Sequence, residues 1–236
     1  MLACPLYQGI PEMNEGNLMP KRALSEHRPY LLASLAAAIS YFFVMDSAIG
    51  GIWLMAWKGA GVAFLALYAA HRGKGVDAAL IALVMAFGAL GDVLLEISFL
   101  VGGGLFAVGH IIAIALYMRN RRTHPTGSQT MAGLALVALT PVVAALMTYP
   151  LPNWQTATGY SLLVGAMAAC AWTSSFPRYR VGSGAVLFVV SDLLIFARET
   201  GHISQELGSW LVWPIYYGAQ FLIVTGVVQT LRTRAA

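Results

Sequence analysis

The chain has 236 residues, of which 58% are hydrophobic and only 10% charged, with a mean hydropathy of +0.71; soluble domains carry about 25% charged residues. A single soluble core has no way to hide so many apolar stretches of about 20 residues, each long enough to cross about 30 Å of hydrocarbon, so these numbers exclude an ordinary soluble enzyme and point to an all-α, polytopic membrane bundle. The net charge of +4 sits in short clusters between apolar runs, which is the pattern of membrane topology and not the continuous basic face of a nucleic-acid binder.

Residues 1–28 contain Pro, Asn and Glu ahead of Lys21 and Arg22 and lack the charged start and apolar core of a signal peptide. They are expected to form a disordered cytoplasmic tail. The opening "MLAC" faintly echoes a lipoprotein cleavage site, but no apolar segment precedes Cys4. Apolar windows bounded by charge, Gly or Pro then predict eight spans, at about 30–48, 52–70, 77–98, 101–118, 130–149, 155–174, 182–199 and 209–230. Together they make a membrane domain over 29–231, followed by a cytoplasmic end at 232–236. Cys170 lies inside an apolar run and reads as a small buried thiol; with Cys4 alone for company it makes neither a disulfide framework nor a Cys-rich metal site.

The basic clusters at 21–28, 72–74, 119–122, 178–180 and 232–234 hold twelve of the fourteen Lys and Arg residues. Eight spans put all of them on one side, so the positive-inside rule places both termini in the cytoplasm. Lys58 and Arg198 are the two exceptions. A compact chain of this kind suits a bacterial inner membrane. One internal echo accompanies this topology: aligning Asp92 with Asp192 also pairs Gly91 with Ser191, Leu94 with Leu194 and Leu95 with Ile195, in spans that run the same way.

The stretch FGALGDVLLEI, 87–97, interrupts a span with Asp92 and Glu96. Lys58, His110, Asp192, Tyr216, Tyr217 and Gln220 also lie within the predicted spans. An Asp at mid-helix costs about 2.5–3.5 kcal/mol on insertion scales, so both aspartates are expected to face the bundle interior. At 1.5 Å per residue, Asp92 lies about 23 Å and Asp192 about 15 Å from the inner starts of their spans, while His110 and Lys58 lie about 14 Å and 9 Å from the outer starts of theirs. All four then reach the middle to outer half. Gly88, Gly91, Gly102, Gly103, Gly104 and Gly109 surround these positions, and small residues let helix backbones approach closely.

Blander roles exist for most of this set. His110, Tyr216 and Tyr217 suit packing, Lys58 suits an ion pair with a carboxylate, and Glu96, one turn beyond Asp92, suits contact with water. The two aspartates differ, because an intramembrane carboxylate without a function is unusual.

These residues resemble the YhhN-like lysoplasmalogenase family of integral membrane hydrolases, over most of the chain from about residue 30. Gly91-Asp92 with Leu94-Leu95 resembles its first acidic motif, and GAVLFVVSDLL, 184–194, its second, with Ser191 and Asp192. FLVGGGLFAVGH, 99–110, is similar to its Phe/Gly/His segment, and YYGAQFLI, 216–223, to its last helix. Two positions depart from the pattern: Gly59 follows Lys58 where Pro is frequent, and Ala113 stands where Tyr is frequent.

The resemblance implies hydrolysis of the vinyl ether bond of choline or ethanolamine lysoplasmalogens, releasing a fatty aldehyde and the glycerophospho head group, with no cofactor or metal. Its partners are then a lysophospholipid substrate and membrane lipids. Such hydrolysis needs a proton delivered to carbon, forming an oxocarbenium ion that water attacks. Two neighbouring buried carboxyls can divide this work, one protonated and one ionised, as glycosidases divide theirs. Asp92 and Asp192 are the expected pair. Lys58 is expected to bind phosphate or keep one aspartate ionised, and His110 to bond water or a glycerol hydroxyl. Two other classes compete. A metal-dependent hydrolase would use His110 and the two aspartates, but His27, His71, His124 and His202 fall outside the membrane core and zinc sites commonly need more His or Cys. A proton-coupled transporter would use the same intramembrane carboxylates.

Overall fold

The computed structural model describes residues 28–235. Of the tail expected over 1–28 only Arg28 falls within it; Cys4, Lys21, Arg22 and His27 lie outside the described residues, as does Ala236. The described chain forms α1 (Pro29–Val44), α2 (Gly51–Arg72), α3 (Val76–Leu95), α4 (Phe99–Arg119), α5 (Gly127–Thr148), α6 (Trp154–Thr173), α7 (Ser183–Glu199, entered through a π-helical turn at Arg178–Gly182) and α8 (Gln205–Ala235). Among the described residues there is no β-strand, only an isolated bridge between Arg121 and Ser174.

Local chemistry sets several of these boundaries. Pro29 opens α1, where its missing N–H removes a donor that would lack a helical partner. The Ser98 side chain caps α4 by accepting from the Val101 amide, and this ends α3 at Leu95, three residues short of expectation. Thr126 and Gln129 form a reciprocal capping box at the start of α5. Gly75, at φ 83°, turns the chain between α2 and α3.

Six helices, α2, α3, α4, α5, α7 with its π turn, and α8, are long and apolar enough to cross a bilayer. The other two of the eight are shorter or more polar: α1 has 16 residues, and α6 carries Gln155, Thr156, Thr158 and Ser161 in its first half. Helices adjacent in sequence pack as hairpins, α1 on α2, α2 on α3, α3 on α4, α5 on α6 and α7 on α8. The halves are joined where α4 meets α6 and where α8 reaches back to α1, α2 and α3. Large apolar side chains such as Phe43, Leu100 and Leu146 point outward and are mostly exposed, as befits a surface facing acyl chains. The end bearing the basic clusters is tied by polar side chains: Arg119 and Asn120 both donate to Asp77, at 2.9 and 2.8 Å, and Arg234 donates to Asn120 and Ser175.

Candidate active site

The site begins with two glycines of α3. A Cβ at Gly91 would stand 2.7 Å from the Phe106 ring, and one at Gly88 would stand 3.0 Å from the Gln220 amide nitrogen and 3.5 Å from the Tyr216 hydroxyl. Their lack of a side chain therefore lets α4 lay an aromatic ring beside Asp92 and lets α8 insert two polar groups one turn below it. Tyr216 Oη donates to Asp92 Oδ2 at 2.9 Å. Gln220, one turn along α8, donates from Nε2 to Tyr216 Oη at 3.2 Å. Asp92 is 2% exposed, so this tyrosine hydroxyl replaces water as its hydrogen-bond partner.

Asp192 on α7 is held in the same manner by a different helix. Tyr160 Oη of α6 donates to Asp192 Oδ2 at 2.9 Å, and Nε2 of the buried His110 on α4 lies 3.3 Å from the same Tyr160 oxygen. The carboxylates are not hydrogen bonded to each other. An aromatic wall joins their surroundings: the Phe188 ring stands edge-to-face with His110 at 4.9 Å, Tyr216 at 5.5 Å and Phe106 at 6.1 Å. Against this wall lies a cavity of about 20 Å³ lined by Gly88, His110, Tyr117, Phe188 and Gln220 among others, a volume that suits one water molecule. The Tyr117 hydroxyl is buried with no hydrogen-bond partner.

The remaining predicted residues divide. Lys58 Nζ pairs with Glu96 Oε1 at 2.5 Å, with Glu96 half exposed and the lysine mostly covered; the ion pair sits one turn beyond Asp92 and involves neither aspartate directly. Tyr217 turns away from Tyr216 and shares a 2.7 Å hydrogen bond with Ser34 of α1. Ser191 is fully buried, but its hydroxyl donates to the Phe188 carbonyl of its own helix at 2.7 Å. Of the glycine triplet, only Gly102 makes a close approach, against Leu95; Gly103 and Gly104 have open space around them. Ala113, where the family pattern favours Tyr, lines the small cavity. Tyr160 is the residue that the sequence alone did not bring forward. Its one signal is its place inside a span, seven residues into α6, away from the interfacial belts where Tyr is common. Among the described residues no three His, Cys, Asp or Glu side chains come together.

A helical, multi-pass membrane protein with two interior aspartates, each held by a tyrosine hydroxyl, is the class this architecture defines. Residues 53–227, which include both aspartates, both tyrosines, Lys58, His110 and Gln220, match the YhhN family, and the chain belongs to that family. It is also similar to the lysoplasmalogenase TMEM86A of Bos taurus, 31% identical over 166 residues. The aligned part spans 62% of this chain and 64% of the bovine protein, just under two thirds of its length. No solved structure matches the chain.

Proposed function

We propose that this protein is a lysoplasmalogenase, hydrolysing the vinyl ether bond of choline or ethanolamine lysoplasmalogens to a fatty aldehyde and glycerophosphocholine or glycerophosphoethanolamine. The observation that carries the proposal is the pair of tyrosine-anchored aspartates, Asp92 and Asp192, on either side of an aromatic wall. Family membership and the bovine relative support the same reaction class. We further propose that all eight helices span the membrane with both ends in the cytoplasm, an arrangement that gathers the basic clusters on one side.

The chemistry can be followed atom by atom. One aspartic acid gives its proton to the outer vinyl carbon as the π electrons form the new C–H bond, leaving an oxocarbenium ion. Phe106 and Phe188, whose rings stand 6.1 Å apart in the aromatic wall, would offer aromatic faces of the kind that attract such a cation. Water attacks the cation while the ionised aspartate takes the water proton, giving a hemiacetal. That aspartate then protonates the glycerol oxygen as its C–O bond breaks, and the hemiacetal hydroxyl returns a proton to the first aspartate. Aldehyde and alcohol leave with both carboxyls restored. General acid–base work of this kind contributes about 10²–10⁴-fold.

The test is an aldehyde assay by mass spectrometry, with purified protein and two matched lysolipids, one vinyl ether and one ester. Aldehyde from the vinyl ether lipid, with the ester untouched, is expected. Absence of aldehyde from well-folded protein removes the enzymatic reading and returns the carboxylates to the proton-coupled transporter alternative.

A further inference from the structure

Both aspartates accept a hydrogen bond from a tyrosine at the same distance, yet the groups behind those tyrosines differ in kind. We propose that Asp192 is the proton donor and Asp92 the ionised partner, the division being set by His110 behind Tyr160 and by Gln220 behind Tyr216. This rests on the vinyl ether hydrolase reading for its catalytic meaning, while the protonation states themselves are independent of it.

A phenol has one hydrogen to give. The Gln220 amide nitrogen can only donate, so its bond to Tyr216 Oη turns the phenolic hydrogen toward Asp92. Asp92 Oδ2 must then accept, and a proton on that oxygen would meet the phenolic hydrogen head-on. The second aspartate has no such restriction. An imidazole Nε2 donates in one tautomer and accepts in the other. With Asp192 ionised, His110 Nε2–H donates to Tyr160, which donates to Asp192. With Asp192 protonated, the direction reverses: Asp192 donates to Tyr160, and Tyr160 donates to His110 Nε2. Both bonds survive either way.

Asp192 can therefore hold a proton and release it with its hydrogen bond to Tyr160 kept in both states, whereas a proton on Asp92 would have to sit on Oδ1, which has no hydrogen-bond partner among the described residues, while Gln220 holds Tyr216. The nearest charged neighbours sharpen the difference. Asp92 has close by an ion pair between Lys58 of α2 and Glu96, one turn beyond it at the end of α3, and among the described residues Asp192 is hydrogen bonded to Tyr160 with His110 behind it. In the reaction, Asp192 delivers the proton to carbon and recovers it from the hemiacetal hydroxyl. Asp92 takes the proton from water and passes it to the glycerol oxygen. Tyr160, His110, Tyr216 and Gln220 are positioning residues in this scheme.

Infrared spectroscopy of the full-length, substrate-free protein at neutral pH reads the assignment directly, through the C=O stretch of a protonated carboxyl. That band is expected in the wild type and in Asp92→Asn, and absent from Asp192→Asn. A second measurement does not depend on the Asn variants: the band should move in Tyr160→Phe, which strips Asp192 of its partner, and stay in place in Tyr216→Phe. A band that vanishes in Asp92→Asn but persists in Asp192→Asn overturns the assignment, as does a wild-type spectrum without one, or a band that moves in Tyr216→Phe and not in Tyr160→Phe. The aldehyde assay is read separately, so a protein that shows the expected bands but releases no aldehyde fails as a lysoplasmalogenase and not in its proton placement.

Discussion

The surroundings of Asp92 and of Asp192 differ in how a carboxylate inside a helical bundle is kept. Asp92 is sealed by two glycines and a ring: Gly88 admits Tyr216 and Gln220, Gly91 admits Phe106, and the carboxyl is left almost without exposure. Asp192 lies on a helix that begins with a wide π turn and is only partly buried; Tyr160 of the neighbouring α6 is hydrogen bonded to it, and His110 of α4 reaches that tyrosine across the join between the two halves. The first carboxylate is fixed by tight packing along one turn of one helix. The second is fixed by side chains that bridge separate helices.

Replacing either aspartate with Asn tests whether both surroundings serve one reaction. Each variant should keep its fold, because Asn preserves shape and hydrogen bonding. Each should lose activity by about 10²–10⁴-fold, the usual contribution of a general acid or base. Near-normal aldehyde release from either would reduce the site to a single carboxylate.

The tyrosines give the next effect. Tyr160→Phe and Tyr216→Phe each leave an aspartate without its hydrogen-bond partner, at about 1–3 kcal/mol, so kcat should fall roughly 5- to 150-fold. Tyr217→Phe is the matched control. It breaks a bond to Ser34 on the far side of α8 and should cost about 1 kcal/mol of stability with activity unchanged. Equal losses of activity at Tyr216 and Tyr217 would mean that α8 is merely packing.

The glycines probe the Asp92 side alone. Gly91→Ala drives a methyl into the Phe106 ring and Gly88→Ala presses on the Gln220 amide. Overpacking costs about 1–3 kcal/mol, and Gly91→Ala should show the larger fall in thermal stability because its contact is the shorter. The flexible end of Gln220 gives way more easily, so Gly88→Ala should cost more in kcat than in stability.

What was legible in the sequence follows the same physics. Spans are visible because each needs about 20 apolar residues, and the two aspartates are visible because lipid makes them costly. Tyr160 was not visible, since a tyrosine inside a span carries little penalty and its value depends on how α6 meets α7. Tyr216 and Tyr217 are equivalent as letters, yet neighbours on a helix point about 100° apart, and only the packing of α8 decides which one meets Asp92. Ser191 looked like part of the motif with Asp192, but a serine hydroxyl within a helix readily bonds a carbonyl of the preceding turn, and this one does.

The smallest expected effect concerns the ion pair that only Asp92 has beside it. Glu96 is half exposed, so Glu96→Gln should cost less than about 1 kcal/mol of stability. Its consequence for binding is more telling. If the Lys58 ammonium is the group that meets the substrate phosphate, removing its intramolecular partner frees it, and KM should fall in Glu96→Gln while it rises in Lys58→Ala with kcat little changed. A Lys58→Ala variant that loses kcat at constant KM would instead make the lysine a neighbour that tunes Asp92, and the phosphate would have to be met elsewhere.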